Sequence, residues 1–215
     1  YSAENNMKYQ VVIADYGMGN LFNIQRVFSF LGVESLITTD PDAIRQADRL
    51  IIPGVGAFEE AMKNLRAKNM IEPITEFAQS GKPFLGICLG MQLLFTESTE
   101  FGLHNGLNLI KGSVLKFDYP ENETIKIPQI GWNSITRHPG NNHAILNGIA
   151  DGTYFYFIHS YYCKPASDKN ITATTVYGET PFCSVTNENN IWGCQFHPER
   201  SADAGVTIFE NFLKL

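Results

Sequence analysis

The most informative segment of the sequence is Lys82-Pro-Phe-Leu-Gly-Ile-Cys-Leu-Gly-Met-Gln-Leu-Leu-Phe95. Residues 82–87 form a mostly apolar run that predicts a buried strand, and residues 90–95 predict the beginning of a helix. Cys88 falls in the turn between them, with Gly86 and Gly90 on either side. A nucleophile between glycines at a strand–helix junction is typical of a nucleophile elbow, because a Cβ at either glycine would crowd the turn. We therefore predict that Cys88 is a nucleophile; the alternative is a buried structural cysteine.

The rest of the first half alternates strands and helices. Apolar runs predict strands at residues 9–14, 33–37 and 50–52. Helices are predicted from residue 21, from Pro41 with Asp40 as its N-cap, and over residues 57–79 with a break near Asn69. This alternation favours an α/β fold with a mostly parallel sheet, whose ligands bind beyond the carboxyl ends of the strands.

The second half is richer in strands. Strands are predicted at residues 109–117, 154–162, 171–177, 182–186 and 191–196, with a hairpin turn at 187–190 and a last helix at 204–213. We interpret these strands as antiparallel additions to the same core, so residues 9–215 are expected to form a single domain. Residues 1–8 are polar and are expected to be disordered or left over from cloning.

Composition excludes several classes of partner. The 215 residues carry a net charge of −6, which argues against nucleic acid or an anionic membrane as the main partner. No apolar run reaches the ~18 residues that a membrane span needs. Four cysteines without a C-x-x-C pair indicate neither a disulfide framework nor a zinc ribbon, so Cys163, Cys183 and Cys194 are expected to pack in the core. We expect a cytoplasmic protein without metal or cofactor.

A candidate base for Cys88 lies in the segment His197-Pro-Glu199. Proline disfavours the helical conformation in the residue before it, so His197 should be extended. In an extended chain residues i and i+2 point the same way, so Glu199 can reach one imidazole nitrogen while the other faces Cys88. This is the nucleophile–base–orienter logic of a catalytic triad. The alternative is a His-Pro turn on the surface.

Two features could stabilise an oxyanion. The Leu89 N–H follows the nucleophile directly, at a helix start whose dipole would also favour the thiolate. The second feature is the turn Pro53-Gly-Val-Gly56, whose glycines allow close backbone approach to a ligand. Gly54, Val55 and Gly56 could supply a second donor or a substrate cradle; the alternative is an ordinary tight turn. The glycine-bearing turns fit neither a P-loop nor a dinucleotide fingerprint.

Several motifs together carry a family resemblance. They are, in order, Asp15-Tyr-Gly-Met-Gly-Asn20, Pro53-Gly-Val-Gly-Ala-Phe58, Gly86-Ile-Cys-Leu-Gly-Met-Gln-Leu-Leu94, Gly131-Trp-Asn133, Tyr156-Phe-Ile-His-Ser-Tyr161 and Gln195-Phe-His-Pro-Glu-Arg-Ser201. The chain thus resembles the class I, triad-type glutamine amidotransferases, and among them the glutaminase subunits of imidazole glycerol phosphate synthase.

The resemblance implies a fold, a reaction and a partner. The fold is the flavodoxin-like class I amidotransferase fold, a mostly parallel central sheet flanked by helices with added antiparallel strands. Cys88 attacks L-glutamine, and a glutamyl thioester is hydrolysed to glutamate. The ammonia passes to a (β/α)₈ cyclase subunit, which forms a heterodimer with the glutaminase. That subunit makes imidazole glycerol phosphate and aminoimidazole carboxamide ribotide in histidine biosynthesis.

The resemblance also implies roles for individual residues. The glutamine site is expected to include Gln92, Glu100, Ser160 and Tyr161. Three residues are expected to face the cyclase: Trp132, Tyr156 and Arg200. In the family the strand Gly54–Gly56 rearranges before it donates, so the free chain is expected to be nearly inactive.

One position departs from the family pattern. Gln129 stands where the family often has histidine, two residues before the Gly-Trp-Asn segment, and glutamine cannot titrate near neutral pH. This leaves open a paralogous subunit of a surface-polysaccharide amidino-sugar pathway. A stand-alone hydrolase and a non-catalytic scaffold on the same fold are further alternatives. His159, in an aromatic strand, is interpreted as a structural or interface hydrogen bonder.

Overall fold

The computed structural model describes residues 10–119 and 125–215. The predictions for residues 1–8, and the first residue of the strand predicted at 9–14, lie outside this range. The strands are β1 (Val11–Ala14), β2 (Ser35–Thr38), β3 (Leu50–Ile52), β4 (Phe84–Ile87), β5 (Phe95–Ser98), β6 (His104–Asn105), β7 (Ile110–Lys116), β8 (Gln129–Ser134), β9 (Thr136–Arg137), β10 (Tyr154–His159), β11 (Tyr161–Pro165), β12 (Ile171–Tyr177), β13 (Thr180–Glu188) and β14 (Ile191–Cys194). The helices are α1 (Leu21–Phe30), α2 (Pro41–Gln46), α3 (Phe58–Ala67), α4 (Ile71–Gln79), α5 (Leu89–Leu93) and α6 (Ala202–Phe212).

The large sheet has the order β2-β1-β3-β4-β14-β13-β11-β7-β5-β6, and β12 and β9 attach beside β13. Strands β2, β1, β3, β4 and β14 pair in parallel, whereas β13 and β11 pair with their neighbours antiparallel. Strands β8 and β10 form a separate antiparallel pair. The predicted parallel sheet with antiparallel additions is therefore confirmed. Because β1, β3, β4 and β14 are parallel, the loops that follow them meet at one edge.

Helices cover both faces of the sheet, as the alternation of buried side chains along β1 requires. Val12 and Ala14 pack with the helices α2, α3 and α4 on one face. Val11 and Ile13 pack with α1 and α6 on the other face. The local signals for helix ends are confirmed as well. The Asp40 side chain accepts from the Asp42 N–H at the start of α2, and a positive φ at Asn69 separates α3 from α4.

The prediction of one strand over residues 154–162 is wrong. The segment divides at Ser160 into β10 and β11, which belong to different sheets. The Ser160 carbonyl accepts from the Phe117 N–H (3.1 Å) at this crossing. The side-chain pattern stays aromatic across the division, so periodicity did not mark it. The structure also forms β8 and β9, for which the sequence analysis predicted no strand.

The helix predicted to begin in residues 90–95 is shorter than expected. It ends at Leu93, and Phe95 already belongs to β5. The N–H groups of Leu107 and Leu109 bind the carbonyls of Leu93 and Leu94, each at 2.8 Å, and turn the chain out of the helix. No helix among the described residues is long and apolar enough to cross a membrane.

Candidate active site

Cys88 lies in a sharp turn between β4 and α5, with φ 54° and ψ −111°. This conformation is strained for a residue with a Cβ, and such strain concentrates at functional sites. The flanking glycines are required by close packing, as predicted. A Cβ on Gly90 would overlap the Ile52 carbonyl, and one on Gly86 would lie 2.7 Å from the Gly90 carbonyl oxygen. Since α5 has only five residues, its dipole contributes less at Cys88 than the sequence suggested.

His197 and Glu199 form a buried pair at the end of the segment that follows β14. The His197 Nδ1 lies 2.7 Å from the Glu199 Oε1, and the side chains are 4% and 2% exposed. His197 is extended, as predicted from Pro198, with φ −98° and ψ 96°. The expected route to the pairing is wrong, however, because Pro198–Arg200 is a 3₁₀ turn and not an extended chain. The turn, closed by the Arg200 N–H on the His197 carbonyl (3.0 Å), brings Glu199 beneath the imidazole.

The charges around His197 favour its protonated form. Burial is the largest single influence and acts to lower the pKa of the imidazole. The Cys88 sulfur and the Glu199 carboxylate together outweigh burial and raise the His197 pKa to about 10. Among the described residues the His197 Nε2 is buried and has no hydrogen-bond partner. With Nδ1 held by Glu199, Nε2 is the nitrogen available for proton transfer.

The candidate oxyanion donor is already occupied. The Leu89 N–H, which the sequence analysis expected to be free for an oxyanion, donates to the Gly54 carbonyl at 3.3 Å. Gly54 is held against the elbow, since a Cβ there would lie 2.9 Å from the Leu89 Cβ. The Pro53 carbonyl, one residue earlier, accepts from the Tyr16 hydroxyl at 2.5 Å. In this arrangement the Leu89 N–H is engaged within the protein by the Gly54 carbonyl.

A cavity of about 270 Å³ opens beside Cys88. It is lined by Val55, Gly56, Cys88, Leu89, Gln92, Glu100, Pro128, Ile158, His159, Ser160 and Tyr161. Drug-sized ligands occupy pockets of roughly 300–1,000 Å³, so this cavity suits a smaller molecule. The structure thus brings all four residues expected for the glutamine site to the nucleophile.

The geometry of the elbow and its base agrees with the comparison to known proteins. Residues 12–215 match the family model described as "Glutamine amidotransferase class-I". The chain belongs to the class-I glutamine amidotransferase family. It is 46% identical over 209 residues to "Imidazole glycerol phosphate synthase subunit HisH" of Geobacter metallireducens. That alignment covers 94% of this chain and 96% of the relative. The HisH subunit of Sulfurimonas denitrificans is 47% identical over 205 residues, covering 95% and 97%.

Solved structures agree on the amidotransferase fold. A structure described as "Crystal structure of glutamine amidotransferase" superposes with a TM-score of 0.71 at 16% identity, covering 94% of this chain and 97% of that one. The structure of PurLQS from Thermotoga maritima superposes with a TM-score of 0.70 at 19% identity, covering 97% and 99%. At this level of identity the likeness concerns the fold alone.

Two predicted amidotransferase site residues are partly engaged within the protein. The Gln92 Nε2 donates to the Tyr161 carbonyl (2.9 Å) and to the Gln195 Oε1 (3.2 Å). The Glu100 Oε2 accepts from the Phe58 N–H at the start of α3 (2.6 Å). The amide nitrogen of Gln92 and one oxygen of Glu100 are therefore already hydrogen-bonded within the protein.

Sequence reasoning missed one polar residue next to Cys88, and a second polar residue, His159, lies in the cavity beside Cys88. The Gln195 Nε2 lies 3.8 Å from the Cys88 Sγ, and its place in the His-Pro-Glu motif was the available signal. His159 lines the cavity, and its Nδ1 bonds the Tyr161 carbonyl (2.7 Å), in line with the expected structural role. Burial lowers the pKa of His159 to about 4, with a smaller effect from His197, so this imidazole stays neutral.

The three residues expected at the partner interface form one patch. Trp132 is opposite Tyr156 in the β8–β10 pair, and their rings meet edge to face at 6.1 Å. The Arg200 guanidinium lies 4.1 Å from the centre of the Tyr156 ring. Trp132 is 50% exposed, and neighbouring Ile130 is 59% exposed. We call Ile130, Trp132, Tyr156 and Arg200 the aromatic patch.

The aromatic patch is joined to the candidate base through the backbone. The His197 N–H donates to the Tyr156 carbonyl at 2.9 Å. The Tyr156 N–H donates to the Ser201 hydroxyl (3.0 Å), which itself donates to the His197 carbonyl (2.7 Å). Two hydrogen bonds therefore join β10 to the segment that carries His197, and the Ser201–His197 bond braces that segment from within.

The remaining cysteines are free and buried, as expected for core packing. Burial raises the pKa of Cys163, Cys183 and Cys194, so their thiols stay protonated near neutral pH. Gln129 is also buried, with its Nε2 bonded to the Asn133 Oδ1 at 2.8 Å. Its Oε1 has no partner among the described residues.

Proposed function

We propose that the chain hydrolyses L-glutamine to glutamate and ammonia, as the glutaminase subunit of imidazole glycerol phosphate synthase in histidine biosynthesis. The observation that carries the proposal is the juxtaposition of the Cys88 elbow, the buried His197–Glu199 pair and a cavity of about 270 Å³. The names of the HisH relatives support the pathway.

The reaction follows from the placement of these groups. The Cys88 Sγ attacks the carboxamide carbon, and a C–S bond forms as the carbonyl oxygen takes the negative charge. Protonated His197 donates from Nε2 to the leaving nitrogen, and ammonia departs as the C–N bond breaks. The product is a glutamyl thioester. His197, now neutral, takes a proton from water, whose oxygen attacks the thioester carbon. The C–S bond then breaks, glutamate leaves, and the Cys88 sulfur again faces a protonated His197.

The oxyanion requires a donor that the resting chain does not offer. We propose that a partner subunit turns the Gly54–Val55 peptide, which frees the Leu89 N–H and brings a second N–H from Val55 or Gly56 to the cavity. The occupied Leu89 N–H supports this switch. Removing one oxyanion donor from an acyl-transfer enzyme costs ~10²–10³-fold in rate, so a free chain held in this state should be nearly inactive.

The remaining roles concern glutamine and the partner. Ser160, Tyr161, Glu100 and Gln92 are proposed to hold the substrate, because all four line the cavity. The aromatic patch is proposed as the docking surface for a (β/α)₈ cyclase subunit, since exposed aromatic and arginine side chains are enriched at interfaces. We further propose that residues 9–215 form a single domain and that the heterodimer is cytoplasmic.

Glutamate release from glutamine tests the proposal. The chain is assayed alone, with the histidine-pathway cyclase subunit, and with that subunit plus its ribonucleotide substrate. Strong activation is expected in the third mixture only. Cys88→Ala should abolish it, and Cys183→Ala, which removes a buried thiol elsewhere in the core, should retain it. Full activity of the chain alone would contradict the partner-driven switch.

A second candidate is a paralogous subunit that serves an amidino-sugar pathway. It is favoured by Gln129, a buried amide at a position where the family often has histidine. The same assay separates the two candidates. If the histidine-pathway cyclase fails to activate the chain while a glutamine-analogue electrophile still alkylates Cys88, the glutaminase chemistry stands and the partner differs.

A further inference from the structure

Tyr16 lies behind the candidate oxyanion strand, and the mechanism above does not use it. Its side chain is fully buried in the loop that follows β1. The hydroxyl donates to the Pro53 carbonyl at 2.5 Å. It also packs against the backbone of Gly54, where any Cβ would overlap the Tyr16 oxygen. The Tyr16 hydroxyl thus holds the Pro53 carbonyl oxygen and leaves no room for a side chain at residue 54.

The loop that presents Tyr16 is itself held in place. The Asp15 N–H donates to the Thr38 carbonyl (2.8 Å), and the Asp15 carbonyl accepts from the Lys68 Nζ (3.1 Å). The Asp15 Oδ1 accepts from the Gly17 N–H (3.0 Å). These bonds tie the loop to β2, to the end of α3 and to itself. The position of the Tyr16 hydroxyl is therefore set independently of the strand that it contacts.

The hydroxyl remains a donor throughout the pH range of the reaction. Burial raises the pKa of Tyr16 well above its ordinary value, and the nearby Cys88 charge raises it further. A protonated hydroxyl that donates to the Pro53 carbonyl does not act as a base.

Two consecutive peptides are thus held by two different donors. Tyr16 binds the carbonyl of the Pro53–Gly54 peptide, and Leu89 binds the carbonyl of the Gly54–Val55 peptide. Only the second bond must break to free the Leu89 N–H. Breaking the first would leave a buried hydroxyl and a buried carbonyl unsatisfied, and such groups are costly. The first bond therefore persists while the second opens.

We infer that Tyr16 is a positioning residue that anchors the Pro53–Gly54 peptide, so that the turn of the oxyanion strand is confined to the next peptide. The inference rests on the proposed function. Without the anchor, the strand can shift as a whole, and its N–H groups meet the developing oxyanion in many orientations. Substrate binding is unaffected, because Tyr16 does not line the cavity.

The test compares Tyr16→Phe with Tyr177→Phe, which loses a hydroxyl-to-carbonyl bond of 2.7 Å to Lys126, away from the oxyanion strand. In the complex with cyclase subunit and ribonucleotide, Tyr16→Phe should lower the kcat for glutamate release about 10-fold and leave the KM for glutamine within about twofold, less than the loss of a whole oxyanion donor. Tyr177→Phe should change neither.

Amide hydrogen exchange in the free chain gives a readout that needs no catalysis. Tyr16→Phe should speed exchange of the Leu89 amide about 5- to 10-fold, the factor that matches the usual net contribution of one hydrogen bond. Amides of β1 and α6 should be unchanged. An unchanged kcat with unchanged Leu89 exchange would overturn the anchor, as would a uniform acceleration of all amides, since that is general destabilisation. If the wild-type complex releases no glutamate, the proposed function fails and the exchange result alone decides the anchor.

Discussion

Glu199→Gln isolates the charge of the residue that orients His197. Glutamine has nearly the same shape as glutamate and can keep a hydrogen bond to Nδ1, so the main change is the loss of a negative charge. Hydrogen bonds to charged groups contribute roughly 1.5–3 kcal/mol, and one pKa unit corresponds to ~1.36 kcal/mol. The expected shift is therefore about one to two units downward, from about 10 to about 8–9.

The rate of glutamate release should fall by more than the shift in the His197 pKa alone would cause. The side-chain amide that this substitution introduces could also donate to Nδ1 and impose the wrong tautomer, as in serine-protease triads, where replacing the orienting carboxylate by its amide costs ~10⁴-fold in kcat. We expect a 10²- to 10⁴-fold loss of glutamate release by the activated complex. A kcat within threefold of wild type, or an unmoved His197 pKa in an imidazole NMR titration, would refute the reasoning. Glu179→Gln, an exposed carboxylate in the turn before β13, is the control and should be silent.

Three further changes probe other parts of the argument. The folded-state pKa of His197, about 10, exceeds its ordinary value of 6.5. The contribution of His197 to the free energy of unfolding is therefore complete below pH 6.5 and is lost as the pH rises towards 10. Cys88→Ala removes the sulfur that raises this pKa, so it should flatten the decline in stability with pH that a denaturant titration measures. Gly90→Ala should lower the free energy of unfolding by about 2–3 kcal/mol, since its Cβ would overlap the Ile52 carbonyl. Arg200→Ala should weaken binding of the cyclase subunit about 10-fold in calorimetry, because the guanidinium that lies over the Tyr156 ring is part of the aromatic patch.

Each change has a matched comparison. For Cys88→Ala it is Cys163→Ala, and equal pH profiles for the two variants would contradict the sulfur–imidazole coupling. For Gly90→Ala it is Gly140→Ala, whose added methyl group has no neighbour within 4 Å and should cost only the ~1–2 kcal/mol of backbone strain at its φ of +79°. For Arg200→Ala it is Arg45→Ala. Arg45 lies on α2, which carries no residue of the aromatic patch, and forms ion pairs with Asp42 and Glu76. An Arg45→Ala effect as large as that of Arg200→Ala would dissociate the patch from docking.

Short-range signals predicted the elements that position the nucleophile. The glycines around Cys88, the Asp40–Pro41 helix start and the Leu50–Ile52 strand depend on neighbours within a few residues, and the structure has all of them. The division at Ser160 depends on which sheet each half of an aromatic segment joins. Both halves have buried positions, so no period in the sequence separates them.

The orientation of the Gly54–Val55 peptide could not be predicted from the sequence either. A glycine turn next to an elbow suggests donors for an oxyanion, but the same residues allow the opposite arrangement, in which the Gly54 carbonyl takes the Leu89 N–H. Glycine permits both, which is why its presence cannot tell them apart. The Gln92–Gln195 bond likewise joins residues 103 positions apart, and it emerges only when β14 is placed beside β4.

The two hydrogen bonds between β10 and the His197 segment link the exposed aromatic patch to the candidate base. Linkage requires any coupling of binding free energies to act equally in both directions. A subunit that docks on the aromatic patch and thereby improves glutamine binding must itself be bound more tightly, by the same factor, when glutamine fills the cavity. In the proposed heterodimer, bound glutamine would then stabilise the assembly, and a fall in glutamine concentration would weaken it.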